Sequence, residues 1–260
     1  MKIYLNINSD DEPIELNVNS IIVDEINKQP KSNYIKFDDR NNLYIKHDFF
    51  TLNVPNVYRY KIKFEPSPKL YRFKNKINSF KNSIYNDRTL DYDHNLPNIL
   101  LILESPHNHE FKYTKSKLLP TAPAQKYTGK YIKNKIIDLI NKIKEKLTLD
   151  EPTYRLIIIN PVPYQTSMHF LHSMPIKSCF LTLRNNVWKK IWDNNKQIKK
   201  QFKSLINSLK PKLIINSCTC KLKIVINELL ESIYKSMFVS VNHPSAWMRH
   251  GYNIKFINTK

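Results

Sequence analysis

Four short apolar segments of this chain end in side chains that can do acid–base or hydrogen-bonding chemistry. The segments end, in chain order, at Glu104, Asn160, Asn216 and the pair Asn242-His243. Together these residues supply a carboxylate, three amides and an imidazole, which can transfer protons or hold a polar ligand. Asn, Ser and Pro also end strands for structural reasons alone, so a single end is a weak signal. Four such ends in one chain favour a functional site.

The apolar segments themselves predict the strands of a parallel sheet. They cover 98–103, 156–159, 213–215 and 237–241 and do not alternate strictly, as expected of strands buried on both faces. Amphipathic stretches at about 129–148, 176–192, 197–210 and 220–235 predict helices between and after them. This order predicts an α/β domain with a mainly parallel four-stranded sheet sandwiched by helices. Ligands of such sheets bind beyond the carboxyl ends of the strands.

The first 93 residues have a different pattern. Residues 1–65 contain short alternating runs typical of strands, whereas 66–97 lack strong strand signals and are predicted to be a helix or linker. The chain therefore divides into a β-rich N-terminal region with its linker, 1–93, and an α/β domain, 94–260.

Positive charge is concentrated in the predicted α/β domain. The net charge of +20 divides into −3 over residues 1–50, +5 over 51–93 and +18 over 94–260. Lys and Arg displace counterions from phosphates, so this distribution is typical of nucleic-acid binders. The alternative is a basic protein that binds acidic surfaces without specificity, and composition alone does not separate the two.

Three cysteines and the absence of a signal-peptide pattern predict a reducing, cytoplasmic setting without disulfides. No apolar run approaches the roughly 18 residues that span a bilayer, so we expect a soluble protein with no membrane partner.

Five motifs within about residues 95–255 resemble those of the uracil-DNA glycosylase superfamily, above all its thermophile-type branch. In chain order they are Glu104-Ser105-Pro106-His107-Asn108-His109-Glu110, Thr128-Gly129-Lys130-Tyr131-Ile132 opening a helix, Ile159-Asn160-Pro161-Val162-Pro163-Tyr164, Pro211-Lys212 before a strand, and Asn242-His243-Pro244-Ser245. The first is similar to a Glu-x-Pro-x-x-x-Glu motif and the last to the His-Pro-Ser motif of a DNA-penetrating loop. Each motif alone is weak, but their order and spacing agree with the family.

The resemblance implies catalytic roles. Breaking an N-glycosidic bond leaves negative charge on the departing base, which a positioned donor can stabilise. By analogy, His243 donates to this anion, and Glu104, Ser105 or Glu110 orients the water or the sugar. Ser105 stands where several branches have the Asp or Asn that polarises water, and a serine is a poor general base. A surface carboxylate is the alternative for Glu110.

The resemblance also implies residues that bind the base and the DNA. Asn160 reads the base edge, and His107 and Tyr164 contact the base, although an exposed histidine pair and simple packing are the alternatives for these two. DNA-binding residues are predicted after the last motif, with Trp247 or Met248 as a wedge. They are Ser245, Trp247, Met248 and Arg249. A core position is the alternative for Trp247.

The expected function is a monomeric, monofunctional DNA glycosylase that acts on uracil or on a modified pyrimidine, such as the glucosylated hydroxymethylcytosine of phage DNA. We expect no metal and no cofactor, because the iron–sulfur cluster of the thermophile-type branch needs four cysteines. A zinc site at His107, His109, Cys218 and Cys220 has unusual ligand spacing. A non-catalytic DNA-binding module and a metal-dependent nuclease are the alternative functions.

Overall fold

In a computed structural model of the chain, the described residues are 2–5, 14–18, 35–37, 43–45, 52–64, 67–72, 95–113, 118–167 and 178–258. The strands within them are β1 (Lys2–Leu5), β2 (Ile14–Asn17), β3 (Ile35–Phe37), β4 (Leu43–Ile45), β5 (Val57–Lys63), β6 (Lys69–Arg72), β7 (Asn98–Ile102), β8 (Phe111–Tyr113), β9 (Leu118–Pro120), β10 (Thr153–Ile159), β11 (Leu213–Asn216), β12 (Phe238–Ser240) and β13 (Lys255–Ile257). The helices are α1 (Lys126–Lys144), α2 (Ser178–Asn194), α3 (Lys196–Leu209), α4 (Cys220–Ile233) and α5 (Pro244–His250), with a 3-10 turn at Asn108–Glu110.

The chain folds into two compact units. The small-sheet unit comprises 1–54, 105–120 and 162–199, and the large-sheet unit comprises 55–104, 121–161 and 200–260. The small-sheet unit contains a four-stranded sheet in the order β2-β1-β4-β3 and the hairpin of β8 and β9. Helix α2 packs on β2 in this unit.

The large-sheet unit is built on a seven-stranded sheet in the order β13-β12-β11-β7-β10-β5-β6. Its four central strands, β12, β11, β7 and β10, are parallel. The outer strands are antiparallel, with β5 and β6 on one side and β13 on the other. The molecule is therefore α/β with a mostly parallel, mixed sheet.

The four predicted strands are confirmed as the parallel centre of this sheet, but the prediction of only four strands is wrong. Strand β6 lies within 66–97, where we expected a helix or linker, and β13 was not predicted. Both are short edge strands, and their half-exposed side chains leave little apolar pattern to detect. Strands β5 and β6 join the large sheet although the predicted division assigned them to the N-terminal region.

Helices cover both faces of the large sheet, as predicted. On one face α1 buries an apolar stripe against the sheet, and Trp247 of α5 belongs to the same core. On the other face Asn98 Nδ2 donates to the Leu209 carbonyl of α3, and Asn216 Nδ2 donates to Asn227 Oδ1 of α4. Each fully buried Ile or Leu contributes roughly 1.5–3 kcal/mol. The described residues include no helix with the length and apolar character needed to cross a membrane.

Candidate functional site

Backbone hydrogen bonds between the four parallel strands continue past their carboxyl ends and keep these ends in register. Leu103 N donates to the Ile159 carbonyl at 2.9 Å, Ser217 N to the Ile102 carbonyl at 2.8 Å, and Val241 N to the Asn216 carbonyl at 2.9 Å. The polar residues that follow therefore lie along one edge of the sheet, in the order His243, Ser217, Glu104 and Asn160. We call this edge, within the large-sheet unit, the rim.

Glu104 is buried at the rim, and part of its carboxylate has a structural role. Its Oε2 accepts from Thr219 N at 3.0 Å, directly before α4, and only 8% of the residue is exposed. A carboxylate beside a helix N-terminus is stabilised by the helix dipole and by the amide it accepts from. Glu104 therefore fixes the start of α4 through its Oε2 atom.

Two of the three predicted rim amides hydrogen-bond within the fold through both their nitrogen and their oxygen. Asn216 Nδ2 donates to the Lys223 carbonyl and to Asn227 Oδ1, while its Oδ1 accepts from Cys218 N. Asn242 Nδ2 donates to the Gly251 carbonyl, and its Oδ1 accepts from Asn253 N. Both amides therefore join the rim to nearby parts of the chain.

Asn160 differs from the other two rim amides in its side-chain hydrogen bonds. Its backbone N donates to Asn56 Oδ1 at 3.1 Å, but neither Nδ2 nor Oδ1 of its side chain has a hydrogen-bond partner in the described structure. The residue is 3% exposed, so both atoms are also shielded from bulk water. A buried polar group without a partner costs about 1–3 kcal/mol. Such a cost is a typical feature of a side chain shaped for a ligand.

His243 caps α5 with its ring, a position where Ser, Thr, Asp or Asn is usual. Its Nδ1 accepts from Ser245 N at 3.3 Å and lies 2.9 Å from Ser245 Oγ. A backbone N–H can only donate, so Nδ1 is the unprotonated nitrogen of the neutral ring and Nε2 carries the proton. The cap thus selects the tautomer that donates through Nε2.

The residues predicted to contact DNA after His243 have distinct environments. Ser245 is exposed and bonds to His243, whereas Met248 is 51% exposed and Arg249 is exposed beside it. Trp247 is 2% exposed, and its Nε1 donates to the Asn242 carbonyl at 2.7 Å. The prediction of Trp247 as a DNA wedge is therefore corrected: the ring belongs to the core, and only Met248 has the exposure that a wedge needs.

The remaining predicted residues lie in the small-sheet unit. Ser105 Oγ is 2.8 Å from Thr166 Oγ1, and the rings of His107 and His109 are 5.3 Å apart. Glu110 is 6% exposed within the 3-10 turn, so the surface-carboxylate alternative is wrong. Tyr164 is 8% exposed, which is typical of a packed aromatic side chain.

Sequence reasoning missed two residues that shape these segments. Asn56 orients the backbone of Asn160, and Thr166 bonds to Ser105. No local signal marks Asn56, because its place beside Asn160 results from the antiparallel pairing of β5 with β10. Thr166 could have been noticed as a polar residue just past the Asn160 motif.

Gly129 lies inside the first turns of α1, where the sequence predicted the opening of a helix. A Cβ at Gly129 would collide with the Ala124 carbonyl oxygen, which also accepts from Arg59 Nη2 at 3.2 Å. Glycine thus permits the chain before α1 to pack directly on the helix.

Among the described residues, no group of three His, Cys, Asp or Glu side chains is arranged as metal ligands. Cys218 is buried and its Sγ lies 2.9 Å from the Leu103 carbonyl oxygen, while Cys220 is exposed, and both are free thiols. Comparison with protein-family models, with characterised proteins and with solved structures found no match to this chain.

Proposed function

We propose that this chain is a monofunctional DNA glycosylase that hydrolyses the N-glycosidic bond of an extruded pyrimidine and leaves an abasic site. The observation that carries the proposal is the Asn160 amide, which is buried at the rim with a donor and an acceptor that have no partner among the described residues. A pyrimidine edge offers adjacent donor and acceptor atoms that such an amide can bind in pairs.

His243 supports the same chemistry. In the reaction the C1′–N bond breaks, the base leaves with the electron pair, and a water oxygen bonds to C1′ while losing a proton, which ends on the released base. A neutral imidazole that donates through Nε2 stabilises the departing base anion without first giving up a proton. The Nδ1 contacts with Ser245 set this state before substrate arrives.

The DNA partner is proposed from charge. The +18 carried by residues 94–260 favours a polyanion, and exposed Arg249 and Met248 lie on α5 directly after His243. Uracil and modified pyrimidines, including glucosylated hydroxymethylcytosine, are the substrates to test first.

The test is base release in the presence of excess chelator. The protein is incubated with single-stranded and duplex DNA containing uracil, hydroxymethylcytosine or its glucosylated form, and abasic sites are then cleaved with alkali. We expect alkali-dependent strand breaks that are lost in His243→Ala. The matched control is His250→Ala, because His250 is an exposed histidine at the other end of α5.

Two results would overturn the proposal. Strand breaks that form without alkali and need a divalent metal would identify a nuclease. DNA binding without base release from any substrate, unchanged by His243→Ala, would identify a non-catalytic binding module.

A further inference from the structure

The first turns of α1 carry the most exposed large hydrophobic side chain of the described residues. Tyr127 is 69% exposed, compared with 60% for Ile224 and 51% for Met248. Isolated exposed apolar residues are common, so exposure alone does not identify a binding site. The surroundings of Tyr127 distinguish it from the others.

Those surroundings are uniformly basic. Lys126, Lys130 and Lys133 are all exposed on the same two turns of α1, and the sequence has no acidic residue between Glu110 and Asp138. Tyr127 and Lys130 are three positions apart and therefore neighbours on one helix face. We call Tyr127 with these three lysines the Tyr127 surface.

The Tyr127 surface lies at the same edge of the large sheet as the rim. Helix α1 spans about 28 Å and ends nine residues before the amino end of β10, so it begins near the carboxyl ends of the parallel strands. It also packs against α5, which starts at His243. Exposed Met248 and Arg249 are on that neighbouring helix.

The start of α1 is held in a fixed conformation. The Ala124 carbonyl packs against Gly129 and accepts from Arg59, and both Ala124 and Lys126 have left-handed backbone angles, with φ of 56° and 47°. Further along, Tyr252 OH donates to the Lys135 carbonyl and contacts Asp138, which fastens α1 to the chain after α5. A surface fixed in advance loses little entropy when it binds.

We propose that the Tyr127 surface binds a segment of single-stranded DNA beside the extruded nucleotide, with Tyr127 stacked on an unpaired base and the three lysines on the phosphates. Alternating aromatic and basic side chains are the usual means of holding unpaired strands without reading their sequence. The proposal rests on the proposed function for its choice of DNA as partner, but binding itself needs no catalysis.

The experiment measures affinity for a fluorescently labelled single-stranded thymidine 15-mer by anisotropy, since this DNA contains no target base. We expect Tyr127→Ala to weaken binding about tenfold or more and Tyr127→Phe to restore it, because stacking needs the ring and not the hydroxyl. The matched control is Tyr71→Ala, since Tyr71 is 48% exposed on β6 of the same unit. Lys130→Gln should reduce the slope of log affinity against log salt by about 0.7.

An affinity of folded Tyr127→Ala within twofold of the unmodified protein would overturn this proposal, as would an equal loss in Tyr71→Ala. The outcome is independent of base release. If no substrate is excised but Tyr127→Ala still loses affinity, the glycosylase proposal fails and the Tyr127 surface stands. If excision occurs and Tyr127→Ala binds normally, only the present inference fails.

Discussion

Replacing Asn160 by alanine should separate stability from function. Within the part of the chain that the structure describes, both amide atoms of Asn160 are buried without a partner, and removing them recovers roughly 1–3 kcal/mol of stability. The packing lost on truncation offsets about 1 kcal/mol of that gain. We therefore expect the free energy of unfolding to stay constant or rise by up to about 2 kcal/mol, so that the melting temperature rises by at most about 8 °C.

Asn216→Ala is the matched control, because it truncates the same side chain at the same edge of the sheet. The Asn216 amide makes three hydrogen bonds of 2.7–3.1 Å, each worth about 1 kcal/mol. Its loss should lower stability by about 3 kcal/mol and the melting temperature by roughly 6–12 °C. The two variants thus have opposite expected shifts, which calorimetry resolves easily.

The rate of base excision should fall more in Asn160→Ala than in Asn216→Ala, the reverse of the expected losses of stability. A paired donor–acceptor contact to a base is worth about 1–3 kcal/mol, so single-turnover excision by Asn160→Ala should be about 5- to 150-fold slower. If Asn160→Ala loses as much stability as Asn216→Ala, the amide is satisfied within the fold and the reasoning that assigns it to a ligand is refuted.

The other predictions concern elements that support the rim. Gly129→Ala should lower stability by about 1–3 kcal/mol, measured by urea unfolding, because its Cβ collides with the Ala124 carbonyl; an unchanged midpoint would contradict this packing. Trp247→Ala should cost about 3–5 kcal/mol, whereas Met248→Ala should stay within about 0.5 kcal/mol and weaken only DNA binding; equal effects on stability would contradict the assignment of Trp247 to the core. Burial lowers the pKa of Lys223 below its usual 10.5, so its charged form disfavours folding at neutral pH, and Lys223→Met should be more stable at pH 7. That gain should disappear as the pH rises above 10.5, and a gain that persists there would have another cause.

The sequence was most informative about the centre of the large sheet. Strands buried on both faces must be apolar throughout, so segments such as 98–103 and 156–159 are visible without any knowledge of their partners. Edge strands lack this constraint. The three residues of β13 and the four of β6 gain their stability from pairing with β12 and β5, which local sequence does not encode.

The sequence predicted which polar residues lie at the rim but not which of them have hydrogen-bond partners within the fold. Asn160, Asn216 and Asn242 follow apolar strands in the same way, and nothing local distinguishes them. The difference lies in partners that tertiary structure supplies: α4 provides those of Asn216, and the chain after α5 provides those of Asn242. Trp247 shows the same limit, because burial of its ring depends on packing against the sheet core.

On the proposed function, the hydrogen bonds of the predicted site residues in each unit favour stabilisation of the leaving base over activation of water. Glu104 uses Oε2 to hold Thr219, and Ser105 contacts Thr166, so two of the groups predicted to orient water have structural partners. Asn160 and His243 both carry side-chain donors at the rim, and the Nδ1 atom of His243 accepts from Ser245 N. Preorganised donors act where charge develops, and they act without a base of matched pKa. On the proposed function, a serine in place of the usual water-polarising residue is therefore compatible with catalysis that relies on stabilising the leaving base.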